Sequence, residues 1–363
     1  MRSTLITIGA LALLAGCRDT AGPTLQLARG APALQQLEYG VTELPTLPGG
    51  SRARAYAINA RGQVAGESNS ATLSSYSHAT RWTRDEPEDL GTLGGTTSYG
   101  YDINARGDVV GWSWTPSFTV HAFRFTDERG MDDLGTLGGQ SNATAINDNG
   151  VVVGYSRVGS ESGPLHAFRW TPTTGMQDLG TLPGKATSYA NDLNNGGEIV
   201  GRSEAAFGQG TAVLWTKRGE IIDLGALPGG SNSSASAINE HGEVVGSSSD
   251  AAGTVHAVLW TASREIVDLG TLPGALTTGA NSVSEAGIVV GSGQESSPFY
   301  PRGFVWVRDE GLRELPRLPG ATFTSVEDIN NAGTATGSSG PYYFSTRAVR
   351  WVRVRAPSAG GTR

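Results

Sequence analysis

The chain has 363 residues, of which 52 are glycine and 17% carry a charge, and its formal net charge is −7. That balance argues against a nucleic-acid partner, because phosphate binding needs a basic surface. Abundant glycine with few charges fits an all-β chain full of turns better than a helical one.

The first residues read as an export segment. Met1 and Arg2 supply a positive start, and residues 5–15 are apolar but too short to span a membrane comfortably. The stretch ends in Leu14-Ala15-Gly16-Cys17, which resembles the lipobox of bacterial lipoproteins. The resemblance implies cleavage before Cys17 and acylation of that residue. Cys17 is the only cysteine, so no intramolecular disulfide can form. An ordinary secretory signal with an incidental cysteine is the alternative. Residues 18–36 lack periodicity and read as a flexible tether.

From residue 37 to about 357 one block recurs roughly every 45 residues. Its marker is Asp-Leu-Gly-Thr-Leu or a close variant, beginning at Asp89, Asp133, Asp178, Asp223 and Asp268, with Glu-Leu-Pro forms at Glu43 and Glu314. Each block contains four short runs rich in β-branched and aromatic residues, hence four strands. The first two are joined by Asn-x-x-Gly turns starting at Asn59, Asn104, Asn147, Asn194, Asn239 and Asn330, with Ser284 as the exception. Asn or Ser bonds a nearby backbone N–H, and glycine accepts the positive φ that closes the hairpin. Four residues later a second glycine (Gly66, Gly111, Gly154, Gly201, Gly246, Gly291, Gly337) marks close backbone approach or a bulge. The third strand carries Trp82, Phe125, Trp170, Trp215, Trp260, Trp306 or Trp351, all read as core.

Seven hairpins and seven aromatic third strands occur, but the first Leu-rich strand precedes the first hairpin and the last block lacks one. The economical solution pairs residues 37–47 with 347–354. This predicts an all-β, seven-bladed β-propeller of four-stranded antiparallel blades, its ring closed by the N-terminal strand. An open β-solenoid is the runner-up; it would leave the offset strand unexplained. Residues 358–363 form a disordered tail.

The composite of His121-Ala-Phe123 or His166-Ala-Phe168, then Asp-Leu-Gly-Thr-Leu, then Ala-x-Ala-Ile-Asn-x-x-Gly, resembles the bacterial extracellular repeat family called HAF. The resemblance covers residues 43–354 and implies an exported or surface-associated repeat protein with no agreed enzymatic activity. Thr211, Arg302 and Arg347 depart from the histidine, and Phe125 from the tryptophan. The strand order also parallels Kelch-type propellers, as a fold analogy only.

His78, His121, His166 and His256 occupy equivalent places in different blades, too far apart on a wide circle to share a metal. The repeated acids of the Leu-rich strands read as structural hydrogen-bonding groups rather than a glycosidase pair. Asp102, Asp192 and Asp328 occur in only some blades and either line a solvated channel or bind a cation there. No cofactor or metal site and no catalytic motif is read, although a dispersed triad leaves no motif. The blocks differ most in loops on one face, and there Trp112, Trp114, Phe299, Tyr300, Tyr342, Tyr343 and Phe344 are the candidate ligand-binding residues. The alternative is that these rings pack over blade ends.

The expected function is therefore an envelope-anchored binding module for a glycan or protein, a monomer attached to the outer membrane or cell surface by its lipid anchor alone. The alternative is a propeller hydrolase or lyase acting on extracellular polysaccharide, signalled by a convergent acid or His/Tyr cluster at the channel mouth. A purely structural envelope component is the third possibility.

Overall fold

A computed structural model describes residues 38–73, 76–205, 209–295, 300–341 and 345–354. Residues 38–355 form one compact unit, all-β, a β-propeller of four-stranded antiparallel blades. No helix among the described residues is long and apolar enough to cross a membrane.

Each blade follows the predicted order. Ala53–Ile58 pairs with Val64–Ser68, that strand with His78–Thr83, and that strand with the short outer Glu86–Asp89. The expectation of seven separate blades is corrected: five four-stranded sheets stand alone, and the other eight strands form a single sheet. The cause is one parallel bridge, Val255 to Thr277, which joins the third strand of one group of four to the inner strand of the next. Glu38–Glu43 pairs antiparallel with Arg347–Val354, Glu38 opposite Val354 and Glu43 opposite Val349, as the outermost strand of the C-terminal sheet. Arg347 also donates to Glu43 at 2.7 Å.

The strand glycines answer a repeated clash. Every inner strand bulges at the same place, as between Ala55 and Ala57 or Ala143 and Ala145, and the bulge pushes a carbonyl toward the neighbouring strand. A Cβ on Gly66 would collide with the Arg54 carbonyl oxygen, and one on Gly154 with that of Asn142.

Between neighbouring sheets there is room for one large ring. Trp82, Trp215, Trp260 and Trp351 are fully buried, and three of them donate the indole N–H to a backbone carbonyl, as Trp82 does to Pro45 at 2.7 Å. Phe125, Trp170 and Trp306 are half-buried and pack against the core from its edge rather than lying inside it. In those blades a phenylalanine two residues earlier, Phe123, Phe168 or Phe304, fills the slot instead. Side chains two apart on a strand share a face, so the earlier ring displaces the later one outward.

Candidate functional site

At one end of the inner strands the Asn-x-x-Gly turns form a ladder. The Asn59 side-chain oxygen accepts from the N–H groups of Arg61 and Gln63, which fixes its own turn. Its Nδ2 then donates to the Asn104 carbonyl at 2.9 Å. The same donation runs from Asn104 to Asn147, Asn147 to Asn194, Asn194 to Asn239 and Asn239 to Ser284. Asn330 donates to the Asn59 carbonyl at 3.0 Å, so the last turn contacts the first. Ser284 has no amide to donate, and among the described residues its hydroxyl accepts only from Ile288.

Close to the ladder sit Asp102, Asp192 and Asp328, each tying its own strand to at least one other. Asp102 accepts from its own neighbour Ile103 and from Ile146 of the next inner strand at 2.7 Å; Asp192 does the same with Leu193 and Ile238. Asp328 accepts from Ile329, Ser282 and Ile58, the last on the first inner strand. Burial pushes the Asp102 carboxyl up to about 7 and Asp192 up to about 8, with neighbouring Asp charges adding to both. Burial also raises Asp328. A cavity of about 220 Å³ lies at this end, bounded by the turns together with Asp192 and Asp328. Among the described residues no group of three or more His, Cys, Asp or Glu is placed to hold a metal ion.

The other end of the inner strands is chemically uneven. The inward positions there read Arg54, Tyr99, Asn142 and Tyr189 on four successive inner strands, then Ser234, Gly279 and Ser325 on the remaining three. The residue after each strand glycine repeats the division: Glu67, Trp112, Tyr155 and Arg202, then Ser247, Ser292 and Ser338. Large aromatic and charged groups therefore sit on four successive inner strands, and small residues on the other three.

The crowded side is a connected cluster. Trp112 lies against Tyr99 with ring centroids 4.6 Å apart, and its indole N–H donates to the Tyr101 hydroxyl at 3.0 Å. Tyr56 meets Tyr101 edge-on at 5.1 Å, Asn142 donates to the Tyr155 hydroxyl, and Tyr155 meets Tyr189 at 5.2 Å. The Arg202 guanidinium stacks over Tyr189, 4.6 Å from the ring centroid, while Glu204 holds it at 3.0 Å. At the other edge Glu67 is only 6% exposed, with Arg54 3.9 Å from its Oε1. Its Oε2 lacks a well-formed hydrogen bond among the described residues, as does the buried Asn142 Oδ1. Burial raises the Glu67 carboxyl, while the Ser77 hydroxyl and the charges of Arg54 and Arg52 pull it back. Burial and the Glu67 charge push Tyr99 up to about 12 and raise Tyr56 further.

Of the residues singled out in the sequence, Trp112 and Trp114 lie in the strand Val109–Trp114 and not in a loop as expected, and Trp112 belongs to this cluster. Trp114 is half-buried beside Gly95, and Tyr300 stacks on Phe323 at 6.5 Å. Phe299, Tyr342, Tyr343, Phe344 and Cys17 lie outside the described residues. Sequence reasoning missed Arg54, Glu67, Asn142, Tyr155 and Arg202. Aligning the blocks at the strand glycine would have exposed them, since the following position switches from large or charged residues to serine.

The histidines and repeated acids pair within blades. Nδ1 of His78, His121, His166 and His256 meets Asp89, Asp133, Asp178 and Asp268 at 2.8–2.9 Å. Where arginine replaces histidine, glutamate replaces aspartate, as in Arg302 with Glu314 and Arg347 with Glu43.

No family model matches the chain, and no curated protein matches its sequence. Solved structures do share its fold. Virginiamycin B lyase from Staphylococcus aureus superposes with a TM-score of 0.51 at 12% identity, covering 88% of this chain and 100% of that one. The β-propeller domain of the Trilobed protease from Pyrococcus furiosus, described as having an open velcro topology, gives 0.51 at 12% identity over 74% and 84%. A puromycin hydrolase gives 0.52 at 11% identity, covering 79% of this chain and 50% of that one. At such identities the likeness concerns the fold alone.

Proposed function

We propose that the chain closes into a ring of seven four-stranded blades and acts as a binding module for a glycan, held at the uneven end of its axis. The closure reading treats the eight-stranded sheet as two blades joined by one bridge. It is supported by the pairing of Glu38–Glu43 with Arg347–Val354 and by the bonds from Asn330 to Asn59 and from Ile58 to Asp328.

The observation that carries the binding reading is Glu67, a buried carboxylate set among Tyr99, Tyr101, Trp112 and Arg54, with the Ser77 and Tyr99 hydroxyls beside it and no well-formed hydrogen bond to its Oε2 among the described residues. A sugar offers hydroxyl donors to Glu67 and Asn142 and a C–H face to the aromatic rings, which matches both unmet needs. The serine-lined side leaves room for it, and Trp114, Phe299, Tyr300, Tyr342, Tyr343 and Phe344 remain the sequence candidates for further ligand contact. In this reading the protein is an exported HAF-type monomer anchored through Cys17, with residues 18–36 as tether, 37–357 as propeller and 358–363 as tail.

One observation favours the hydrolase or lyase reading: an acid with a raised pKa does meet a tyrosine cluster. The same cluster keeps Tyr99 and Tyr56 protonated at neutral pH, so neither serves as a base, and binding is the stronger reading. Incubating the purified protein with a panel of polysaccharides separates the two. Binding without shortened products, lost in Glu67→Gln and Tyr99→Ala, supports the module. Shortened products that disappear in Glu67→Gln support the enzyme, and binding unchanged by both substitutions removes the site.

A further inference from the structure

We propose a second, anion-recognising site on the turn side of the propeller, in the cleft containing Arg124 and Trp170, that takes the carboxylate of a uronic acid residue. Of the four equivalent third-strand arginines, Arg81 and Arg350 have their guanidinium met by an acid on the hairpin tip of the next blade, while Arg124 and Arg169 precede tips without one. Arg81 donates to Asp127 at 2.6 Å and also reaches Glu88 and the Gly107 carbonyl. Arg350 donates to Asp85 at 3.1 Å. One block later than Arg81, Arg124 faces a tip with the sequence Thr171-Pro172-Thr173-Thr174, which offers no acid.

What stands there instead is space. A cavity of about 520 Å³ is lined by Arg124, Arg106, Trp170 and Pro172 together with acids of the rim. Arg124 makes one hydrogen bond, to Asp108 at 2.7 Å, and its buried Nε has no partner among the described residues. Trp170 forms a wall because Phe168 has taken the core slot and left the indole half-buried. A guanidinium edge beside an indole face suits a carboxylate carried on a ring: the oxygens bond Arg124 and the ring lies on Trp170.

The rim carboxylates do not fill this role, since most are already held. Asp108 is bonded to Arg106 and Arg124, Asp127 to Arg81, Asp132 to Arg129 and Asp133 to His121. The lining still carries more acids than arginines, and Glu128, which makes no ion pair among the described residues, is the acid that most directly opposes an anionic ligand.

The test titrates the full chain with a galacturonic acid trimer and with its methyl ester. The acid is expected to bind at least tenfold more tightly than the ester, and Glu128→Gln to strengthen the acid further. Pro172→Asp places in the cleft the carboxylate that Asp127 and Asp85 supply elsewhere. That variant is expected to fold with unchanged or higher melting temperature and to lose at least tenfold in affinity for the acid. Trp170→Ala is expected to weaken acid and ester alike. Equal affinity for acid and ester, no measurable binding of the acid, or acid binding unaltered by Pro172→Asp overturns the site. Because these variants lie on the opposite face from Glu67 and Tyr99, the outcome is independent of the axial site.

Discussion

The asparagine ladder has one missing rung, and restoring it should stabilise the protein. At Ser284 the turn lacks an amide to donate to the Asn330 carbonyl, and among the described residues the hydroxyl satisfies only the Ile288 N–H. Asn239 satisfies both His241 and Glu243 and also reaches the next turn. Ser284→Asn therefore adds two hydrogen bonds, each worth about 0.5–1.5 kcal/mol net, against the entropy of fixing one short side chain. A net gain of about 1 kcal/mol follows. With an unfolding entropy of about 2.1 cal/mol/K per residue over roughly 300 ordered residues, that is a rise of about 1–2 °C in Tm. The mirror change, Asn147→Ser, removes the donation to the Asn194 carbonyl and one of the bonds from Asn149 and Val151. The Asn194 carbonyl keeps its bond from the Gly197 N–H, so the change should cost only the lost bonds, about 0.5–1.5 kcal/mol each. Scanning calorimetry and urea unfolding of both variants give the comparison. If Ser284→Asn lowers Tm while Asn147→Ser leaves it unchanged, the ladder carries no cohesion between blades and the reasoning fails.

Three further outcomes follow from the same geometry. Phe168→Ala should cost about 3–5 kcal/mol by opening a cavity in the core, and Trp170→Ala much less; equal costs in urea unfolding would contradict the displaced-ring account. Gly201→Ala should cost several kcal/mol or prevent folding, because its Cβ meets the Tyr189 carbonyl oxygen; a soluble variant with unchanged Tm would refute the bulge argument. Asp102 and Asp192 have folded pKa values of about 7 and about 8, above the ordinary 3.8, so the folded state binds their protons more tightly. Their contribution is fully present below pH 3.8 and is lost as pH rises through 7 to 8, so Tm should fall over that window. Asp192→Asn should flatten the fall, and an identical pH profile in that variant would contradict the assignment.

Strand order, hairpins and bulge glycines were legible because each depends on local chemistry: turn residues, positive φ and one close backbone contact. The pairing of Glu38–Glu43 with Arg347–Val354 was legible from counting strands, since an outer strand was left over at one terminus and missing at the other. The fate of Trp170 was not. Phe168 and Trp170 share one face of one strand, and only the width of the space between blades decides which ring enters it. The amide donations of the asparagines were equally hidden, because they depend on how closely the next turn approaches. In the axial cluster the loop rings drew attention to Trp112, but Glu67 and Arg202 each occur once at a position otherwise held by tryptophan, tyrosine or serine. A single variable residue in a strand reads as noise until the neighbouring inner strands are set side by side.

The most direct test of the central claim is a titration of the intact protein with the best-binding oligosaccharide from the panel, followed by tryptophan fluorescence. The account predicts a saturable change that is absent in Trp112→Phe and weakened at least tenfold in Glu67→Gln, with folding unchanged in both. A change of the same size and midpoint in all three proteins would place the ligand elsewhere and contradict it.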